Sequence, residues 1–209
     1  MTRKAGSSGP ETASHIRQAA LELFARQGYA ATSMREIAAR VGLQPGALYN
    51  HFATKQDILS DLMISHLKAL IAAWEAESFQ FHEPLEALEG FVRFHIGYHL
   101  DKADEVFLAY MELRSLEPEN FRAIEQLRQY YEGYLRKIIA RGVEQGSFAA
   151  TDIPVATMAI IAMLTGLNNW FRHGGRLSVD EITEIYVRMA LGSVGVRGGV
   201  EARVPEVMA

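Results

Sequence analysis

The spacing of apolar residues constrains this chain more than any other feature of its sequence. Along the chain these residues recur every three or four positions, which is the period of an α-helix rather than of a strand. Ile16, Ala20 and Phe24, for example, share one face of a predicted first helix. No hairpin dipeptide is flanked by alternating apolar runs. The sequence therefore predicts an all-α fold.

Residues that start and stop helices divide the chain into about nine predicted helices. Capping boxes, in which a Ser or Thr and an acidic residue three positions later bond to each other's amides, predict helix starts at 33–36, 54–57 and 178–181. Asp101 and Asp152 are further predicted caps, and Gly28, Gly42 and Gly146 are predicted stops. The predicted helices cover about 13–27, two short segments that start after Ser33 and at Pro45, 54–77, 84–100, 101–115, 119–145, 152–171 and 178–195.

The stretch VGLQPGALYNHF, residues 41–52, contains a short helix with an unusually bare first turn. A three-to-four-residue turn around Gly42 joins it to the preceding helix, as in a helix-turn-helix unit, whose second helix enters the major groove of DNA by its N-terminus. Leu48 and Phe52 lie four positions apart and are predicted to face the core. The small first turn would let the backbone approach base edges closely. The pattern therefore predicts a DNA-binding helix.

Polar and charged residues around this stretch suit a polyanionic partner. Residues 1–60 hold seven Lys or Arg and four Asp or Glu, a net charge of +3, whereas the rest of the chain carries −7. Tyr49 and His51 are predicted to face outward, where they can donate hydrogen bonds to phosphates. Lys55 with the start of the fourth helix, and Thr32 and Ser33 at the start of the second helix, are further predicted phosphate contacts, and Arg35 lies in the first turn of the second helix. Gln44 is the long polar side chain at the helix start and is the predicted base reader.

The segment AALELFARQGYAATSMREIAARVGLQPGALYNHFATKQDIL resembles the DNA-binding region of the TetR family of bacterial transcriptional repressors. Its GALYNHFATK portion is similar to that family's LYxHFxxK core, with the spacing intact. The resemblance implies that Tyr49, His51 and Lys55 contact phosphates. It also implies that a second group lies near the bases: Thr32, Arg35, Gln44, Pro45, Gly46 and Ala47.

The resemblance also implies a domain plan and a set of partners. We expect a flexible arm (1–12), a three-helix helix-turn-helix domain (13–55), a six-helix ligand-binding and dimerisation domain (56–196), and a flexible tail (197–209). A homodimer would pack through its last two helices, which are apolar on much of their circumference, and would bind a palindromic double-stranded operator. The function implied is that of a repressor released by a small hydrophobic effector.

Aromatic residues of the central helices are candidates for lining the effector site. The segment NNWFRHGGRLS (168–178) resembles one found in family members that sense acyl-coenzyme A thioesters, which would bring Trp170 and Arg172 to the ligand. Arg114 is a candidate partner for an anionic ligand or, equally, a solvated surface residue. A drug-responsive repressor of an efflux gene is the alternative. The predicted ligand-binding residues are Phe107, Tyr110, Met111, Arg114, Tyr134, Trp170 and Arg172.

An enzyme is the competing class of function. His95 and His99 lie four positions apart on one predicted helix, a spacing that can hold a metal, but the Glu that would follow the first His in a zinc-protease motif is replaced by Ile96. The chain has no cysteine, which excludes disulfides and thiolate metal sites. We expect no catalysis, no metal and no cofactor. We also expect no membrane segment, since no apolar run approaches the roughly 20 residues of a span, and hence a cytoplasmic protein.

Overall fold

The computed structural model describes residues 9–196, whose regular structure consists of nine α-helices and one 3-10 turn, η1. No strand occurs in that range, so the all-α prediction is confirmed. Residues 9–12 of the predicted arm are the first turn of α1, and residues 1–8 and the predicted tail lie outside the described range. The elements are α1 (Gly9–Gln27), α2 (Met34–Val41), α3 (Pro45–Tyr49), α4 (Lys55–Ser78), α5 (Pro84–Leu100), α6 (Ala103–Met111), η1 (Leu113–Ser115), α7 (Pro118–Glu144), α8 (Ile153–Trp170) and α9 (Val179–Ser193).

Capping boxes start three of these helices as predicted. Before α2, the Ser33 hydroxyl accepts a hydrogen bond from the Glu36 amide at 3.2 Å, and the Glu36 carboxylate accepts one from the Ser33 amide at 2.7 Å. Reciprocal bonds of the same kind form at 54–57 and 178–181. The Asp152 carboxylate likewise accepts from the Val155 amide at 2.9 Å at the start of α8. These local signals placed the helix starts correctly because each box satisfies amides that have no partner within the helix.

The helix predicted over 101–115 is wrong at both ends. Asp101 does not cap it, because residues 101 and 102 form a turn in which the Lys102 amide donates to the His99 carbonyl at 3.3 Å. The helix that follows, α6, ends at Met111 rather than Ser115. Glu112 then accepts hydrogen bonds from the Tyr29 amide at 3.0 Å and from the hydroxyl of Ser115 at 2.6 Å. These contacts hold the chain after α6 in the 3-10 turn η1.

The described residues form two compact units. Unit 1 contains the described chain up to Ala73 together with 99–129, and unit 2 contains 74–98 and 130–196. Residues 99–129, which contain α6, η1 and the start of α7, belong to the same unit as the helix-turn-helix region, and the domain plan with its boundary after residue 55 stays a prediction. Each unit has its own apolar core, which includes Phe24, Ile37, Leu48 and Ile58 in unit 1 and Trp74, Phe91, Leu135 and Ile160 in unit 2.

Helix α8 is more apolar than the sequence prediction allowed for. Its 18 residues have a mean hydropathy of 1.3, and by length and composition it is the one helix of the described residues that could cross a membrane. A core helix of a soluble protein meets the same criterion, so a single such helix is weak support for a membrane span. Less than a third of α8 is buried within the chain, which leaves apolar surface on the helix.

Candidate functional site

A three-residue turn joins α2 to α3 and determines how α3 is presented. Gly42 ends α2 in the left-handed region, with φ +76°, a conformation that costs a residue with a Cβ about 1 kcal/mol or more. The Leu43 amide donates to the carbonyl of Ala38 at 2.9 Å, which closes the turn. Pro45 then occupies the first turn of α3, where its missing N–H is not needed. The two helices therefore form the predicted helix-turn-helix.

The core-facing and exposed sides of α3 match the sequence prediction. Leu48 is completely buried and Phe52 is nearly so. On the other side, Tyr49 is 51% exposed, Gln44, Pro45 and Gly46 are exposed, and Ala47 and His51 are half-buried. Gln44 is the N-cap residue but makes no side-chain capping bond, so its amide is available to a ligand. Space around Gly46 is open, since a Cβ placed there would have no neighbour among the described atoms within 4 Å.

The start of α2, which precedes α3 in the helix-turn-helix, carries two exposed residues. Ser33 and Arg35 are both exposed. The Ser33 hydroxyl oxygen accepts a hydrogen bond from the Glu36 amide, so its own proton is available to another acceptor. Thr32 differs, because it is only 2% exposed. Its hydroxyl donates to the Gly28 carbonyl at 3.0 Å and so stabilises the turn between α1 and α2. The structure thus assigns the Thr32 side chain an inward contact.

Lys55 also makes contacts inside unit 1. Its ammonium donates to the carbonyls of Tyr29 and Thr32, both at 2.7 Å, and lies 4.1 Å from the centre of the Tyr29 ring. An ammonium has three protons, so two such bonds leave one for another acceptor. Lys55 therefore joins the start of α4 to the turn between α1 and α2, a role that the sequence prediction did not include.

Gln56, which the sequence analysis did not single out, connects four segments of unit 1. Its amide nitrogen donates to the Tyr29 hydroxyl at 2.9 Å and to the Ser115 carbonyl at 2.6 Å. Its amide oxygen accepts from the Glu117 amide at 3.1 Å and from the Asn120 side chain at 3.3 Å. The start of α4 is thereby bonded to η1, to the start of α7 and to the turn after α1. A lone glutamine at a helix start carries no sequence signal for such a role.

The predicted ligand-binding residues of unit 1 lie on α6 and η1. Phe107 is 38% and Met111 is 45% exposed. Tyr110 is half-buried, and the Arg128 guanidinium lies 4.7 Å from the centre of its ring. Arg114 is exposed in the 3-10 turn, so the predicted position within a helix is wrong.

The predicted ligand-binding residues of unit 2 have unequal surroundings. Trp170 is 53% exposed and contacts Phe171 edge to face at 6.4 Å. The Arg172 guanidinium donates to the Phe171 carbonyl at 2.8 Å and to the Asn169 carbonyl at 3.4 Å, so it caps the end of α8. The hydroxyl of Tyr134 contacts the carboxylate of Glu75.

The histidines of the competing enzyme hypothesis are part of the packing. His95 is fully buried, with Nδ1 3.2 Å from the Tyr131 hydroxyl and Nε2 3.4 Å from the Thr165 hydroxyl. His99 is 1% exposed and packs edge to face against His66. Burial, with a contribution from Lys102, lowers the pKa of His66 to about 4. No three potential metal ligands gather anywhere in residues 9–196.

A helix-turn-helix with an exposed, small-residue helix start defines a DNA-binding protein. Two family models place the chain more narrowly. Residues 16–62 match the bacterial regulatory proteins of the tetR family, and residues 82–194 match the tetracyclin repressor-like C-terminal domain. The chain belongs to the TetR family of transcriptional regulators. This confirms the resemblance drawn from the GALYNHFATK segment.

Relatives that align over most of the chain support the same assignment. The HTH-type transcriptional repressor KstR2 of Mycobacterium tuberculosis is 26% identical over 181 residues, which are 86% of this chain and 90% of KstR2. A solved tetR-family regulatory protein from Rhodococcus RHA1 has a TM-score of 0.85 at 33% identity, over 92% of this chain and 100% of that one. AibR, solved with isovaleryl coenzyme A and operator DNA, has a TM-score of 0.79 at 25% identity, over 86% of this chain and 97% of AibR.

Proposed function

We propose that this TetR-family repressor binds a palindromic operator as a homodimer and is released by a small hydrophobic effector, an acyl-coenzyme A thioester. The observation that carries the proposal is the exposed, bare start of α3, held on a buried Leu48 and followed by exposed Tyr49. A surface with so little side-chain bulk allows the backbone to come close to base edges. Such a protein acts where the DNA is, in the cytoplasm.

The proposed DNA contacts are of two kinds: contacts to phosphates, which position the helix, and contacts to bases, which read the sequence. Tyr49, His51 and the Ser33 hydroxyl are proposed to donate to phosphates, which set the register of the helix but read no sequence. Gln44 is proposed to read a base edge, because a glutamine amide can bond bidentately to adenine. Its lack of a capping bond supports this role, since the amide need not break an internal contact to do so.

The proposed homodimer is supported by apolar surface on α8 and α9. Val155 and Met158 of α8 are 63% and 50% exposed, and Met189 of α9 is 49% exposed. Exposed apolar side chains on neighbouring helices are typical of a face that a partner covers. A second copy of the chain would cover this face and would also account for the hydropathy of α8. Two copies present two recognition helices, as a palindrome requires.

The proposed effector is supported by a relative. AibR was solved with isovaleryl coenzyme A together with operator DNA, and it aligns with 86% of this chain. For release, the effector must prefer the conformer that does not bind DNA, and a roughly 100-fold preference supplies about 3 kcal/mol. The α4 helix carries residues of both units, from Lys55 to Ser78, and is the proposed route by which occupancy reaches the DNA-binding helices.

DNA readout is the first prediction. Operators are first selected from a random duplex library. Fluorescence anisotropy should then show that Tyr49→Ala weakens binding to the operator and to an unrelated duplex by a similar factor. Gln44→Ala should instead lose about 1–3 kcal/mol of discrimination at one base position in each half-site. Gln145→Ala, an exposed glutamine after α7, is the matched control and should change neither quantity. Unchanged operator affinity in both Tyr49→Ala and Gln44→Ala would contradict the docking of α3.

The same anisotropy assay tests the effector. Isovaleryl-coenzyme A and longer acyl-coenzyme A thioesters are added to the preformed complex, beside free coenzyme A and a hydrophobic cationic drug. Release by a thioester alone supports the acyl-coenzyme A assignment. Release by the drug alone would replace it with the drug-responsive alternative, and the repressor assignment would stand.

A further inference from the structure

Unit 2 contains a cavity that the sequence analysis did not anticipate. It has a volume of about 200 Å³ and lies among the end of α4, the start of α5 and the C-terminal half of α7. Of the predicted ligand-binding residues only Tyr134 lines it. The residues that matter for its chemistry are Trp74, Phe81, Ile138, Lys137 and Arg141.

One wall of the cavity is aromatic and firmly held. Trp74 is 1% exposed and stacks on Phe81, with ring centres 6.1 Å apart and planes 18° apart. Phe91 contacts the Trp74 ring edge to face at 5.0 Å. The Phe81 ring lies directly on Gly90, where a Cβ would overlap it. This wall is therefore preorganised for a flat or compact apolar group, and binding would order few side chains.

The other wall is cationic. Lys137 and Arg141 lie four positions apart on α7, a spacing at which two like charges repel each other on a helix. Neither takes part in a salt bridge with any described residue. None of the residues that line the cavity is acidic, and the carboxylate of Glu75 contacts the hydroxyl of Tyr134. An anion between the two cations would offset their repulsion.

Two of the lining residues carry buried donors that have no acceptor among residues 9–196: the Arg141 Nε–H and the Trp74 Nε1–H. Buried donors are nearly always paired in folded proteins, so each such group calls for an acceptor. A carboxylate has two oxygens with about four acceptor positions and can take hydrogen bonds from both sides. The orphan donors, the cations and the aromatic wall thus describe one ligand.

We propose that this cavity binds a small apolar monocarboxylate, with its ring or short acyl body on Trp74, Phe81 and Ile138 and its carboxylate on Arg141 and Lys137. The volume limits the ligand. A cavity of about 150 Å³ accepts benzene, whereas drug-sized ligands occupy roughly 300–1,000 Å³. One aromatic ring or a short acyl chain with its carboxylate fits, and a whole coenzyme A thioester does not. The inference rests on the proposed repressor function only for its effect on DNA.

Isothermal titration calorimetry on the full-length protein tests binding without DNA. The probes are phenylacetate and hexanoate, the matched neutral amides, and the corresponding coenzyme A thioesters. We expect both carboxylates to bind and the amides to bind at least about tenfold more weakly, because charge-assisted hydrogen bonds are lost. Carboxylate and amide of equal affinity, or no carboxylate binding at millimolar concentration, would overturn the proposal. Binding confined to the thioesters would also overturn it.

Variants locate the ligand. Arg141→Gln and Lys137→Met should each weaken carboxylate binding about tenfold or more, while Arg136→Gln, an exposed arginine on the same helix, should leave it unchanged. Lys137 is exposed, so Lys137→Met should fold normally, and it tests the site even if Arg141→Gln does not fold. The chain has two tryptophans, and in a Trp170→Phe background all tryptophan fluorescence comes from Trp74. Carboxylate binding should change that fluorescence, and unchanged emission on binding would place the ligand elsewhere.

The effect on DNA is read separately by anisotropy of the operator complex. Wild-type protein that fails to bind any selected duplex would contradict the proposed repressor function, whatever calorimetry shows. Carboxylate binding that depends on Arg141 and Lys137 supports the site, whether or not the operator is released. Release by the carboxylate would in addition identify it as an effector.

Discussion

At the residue scale, the structure gives two predicted DNA contacts a structural task. Thr32 and Lys55 match positions that the family resemblance associates with DNA, yet the Thr32 side chain is buried and the Lys55 ammonium holds two backbone carbonyls. Both contacts fix the turn that precedes α2. Arg35 lies three positions after Thr32, in the first turn of α2. It is exposed and forms no ion pair with a described residue. Lys55 and Arg35 each lie in the first turn of a helix, but of the two only Lys55 has a side-chain hydrogen bond to a described residue of unit 1.

This difference leads to a prediction for Lys55→Met. The variant leaves the Tyr29 and Thr32 carbonyls without their charged donor, which should lower the free energy of unfolding by about 1–3 kcal/mol. Urea denaturation monitored by circular dichroism measures it. Arg35→Met is the matched control and should change the free energy of unfolding by less than about 0.5 kcal/mol, as exposed surface substitutions usually do. An equally small effect of Lys55→Met would show that its internal bonds make no net contribution to stability.

At the scale of elements, polar contacts link the helices of unit 1 around its apolar core. Glu112, after α6, accepts the Tyr29 amide from the turn after α1, and Gln56 at the start of α4 bonds to both that turn and η1. Arg17 of α1 pairs with Asp61 of α4 at 2.5 Å and lies over the Phe52 ring. These bonds explain why 99–129 groups with the DNA-binding helices. They also make the position of those helices depend on η1 and the start of α7.

A double-mutant cycle tests this coupling. Gln56→Ala removes all four hydrogen bonds of the side-chain amide, and Tyr29→Phe removes only the one to the Tyr29 hydroxyl. We expect a coupling free energy of about 0.5–1.5 kcal/mol in the free energy of unfolding, since the two groups share a hydrogen bond. Gln80→Ala with Tyr29→Phe is the control pair and should be additive, because Gln80 belongs to unit 2. Additivity in the Gln56 cycle would mean that the bond does not contribute to stability.

At the scale of the whole molecule, three helices carry residues of both units. The α4, α5 and α7 helices each have one end in unit 1 and the other in unit 2. Unit 2 also carries the exposed apolar face of α8 and α9, the proposed dimer interface. The molecule therefore has its proposed DNA-binding surface in one unit and its proposed association surface in the other. Affinity for a palindrome would depend on both, because a single half-site contact is weak unless it is linked to a second.

A charge on the apolar face tests the dimer without disturbing the core. Met158→Glu combined with Met189→Glu should give a monomer in sedimentation velocity, because both side chains are about half exposed in the single chain and the proposed dimer would bury them. Operator affinity should fall on the order of a hundredfold or more. Phe121→Glu, an apolar-to-acid change at a 40% exposed position of α7, is the control and should remain dimeric. A dimer that persists in the double variant would place the interface elsewhere.

The sequence by itself determined the all-α class, most helix starts and the helix-turn-helix, since these follow from local rules. An apolar period needs only the chain's own geometry, and a capping box such as Ser33 with Glu36 spans four residues. The family resemblance followed from GALYNHFATK for the same reason, because the motif is contiguous. The exposure of Tyr49 and the burial of Leu48 could likewise be predicted from their positions on one short helix.

Only the tertiary structure decided which side chains meet across the sequence. Lys55 reaches carbonyls 26 and 23 positions away, and Gln56 reaches the Ser115 carbonyl 59 positions away. The α6 helix ends early because Glu112 bonds to the Tyr29 amide, 83 positions distant, a contact that no local pattern encodes. The cavity of unit 2 depends in the same way on three helices packing together. Such contacts are set by packing and long-range hydrogen bonds, which a one-dimensional pattern does not record.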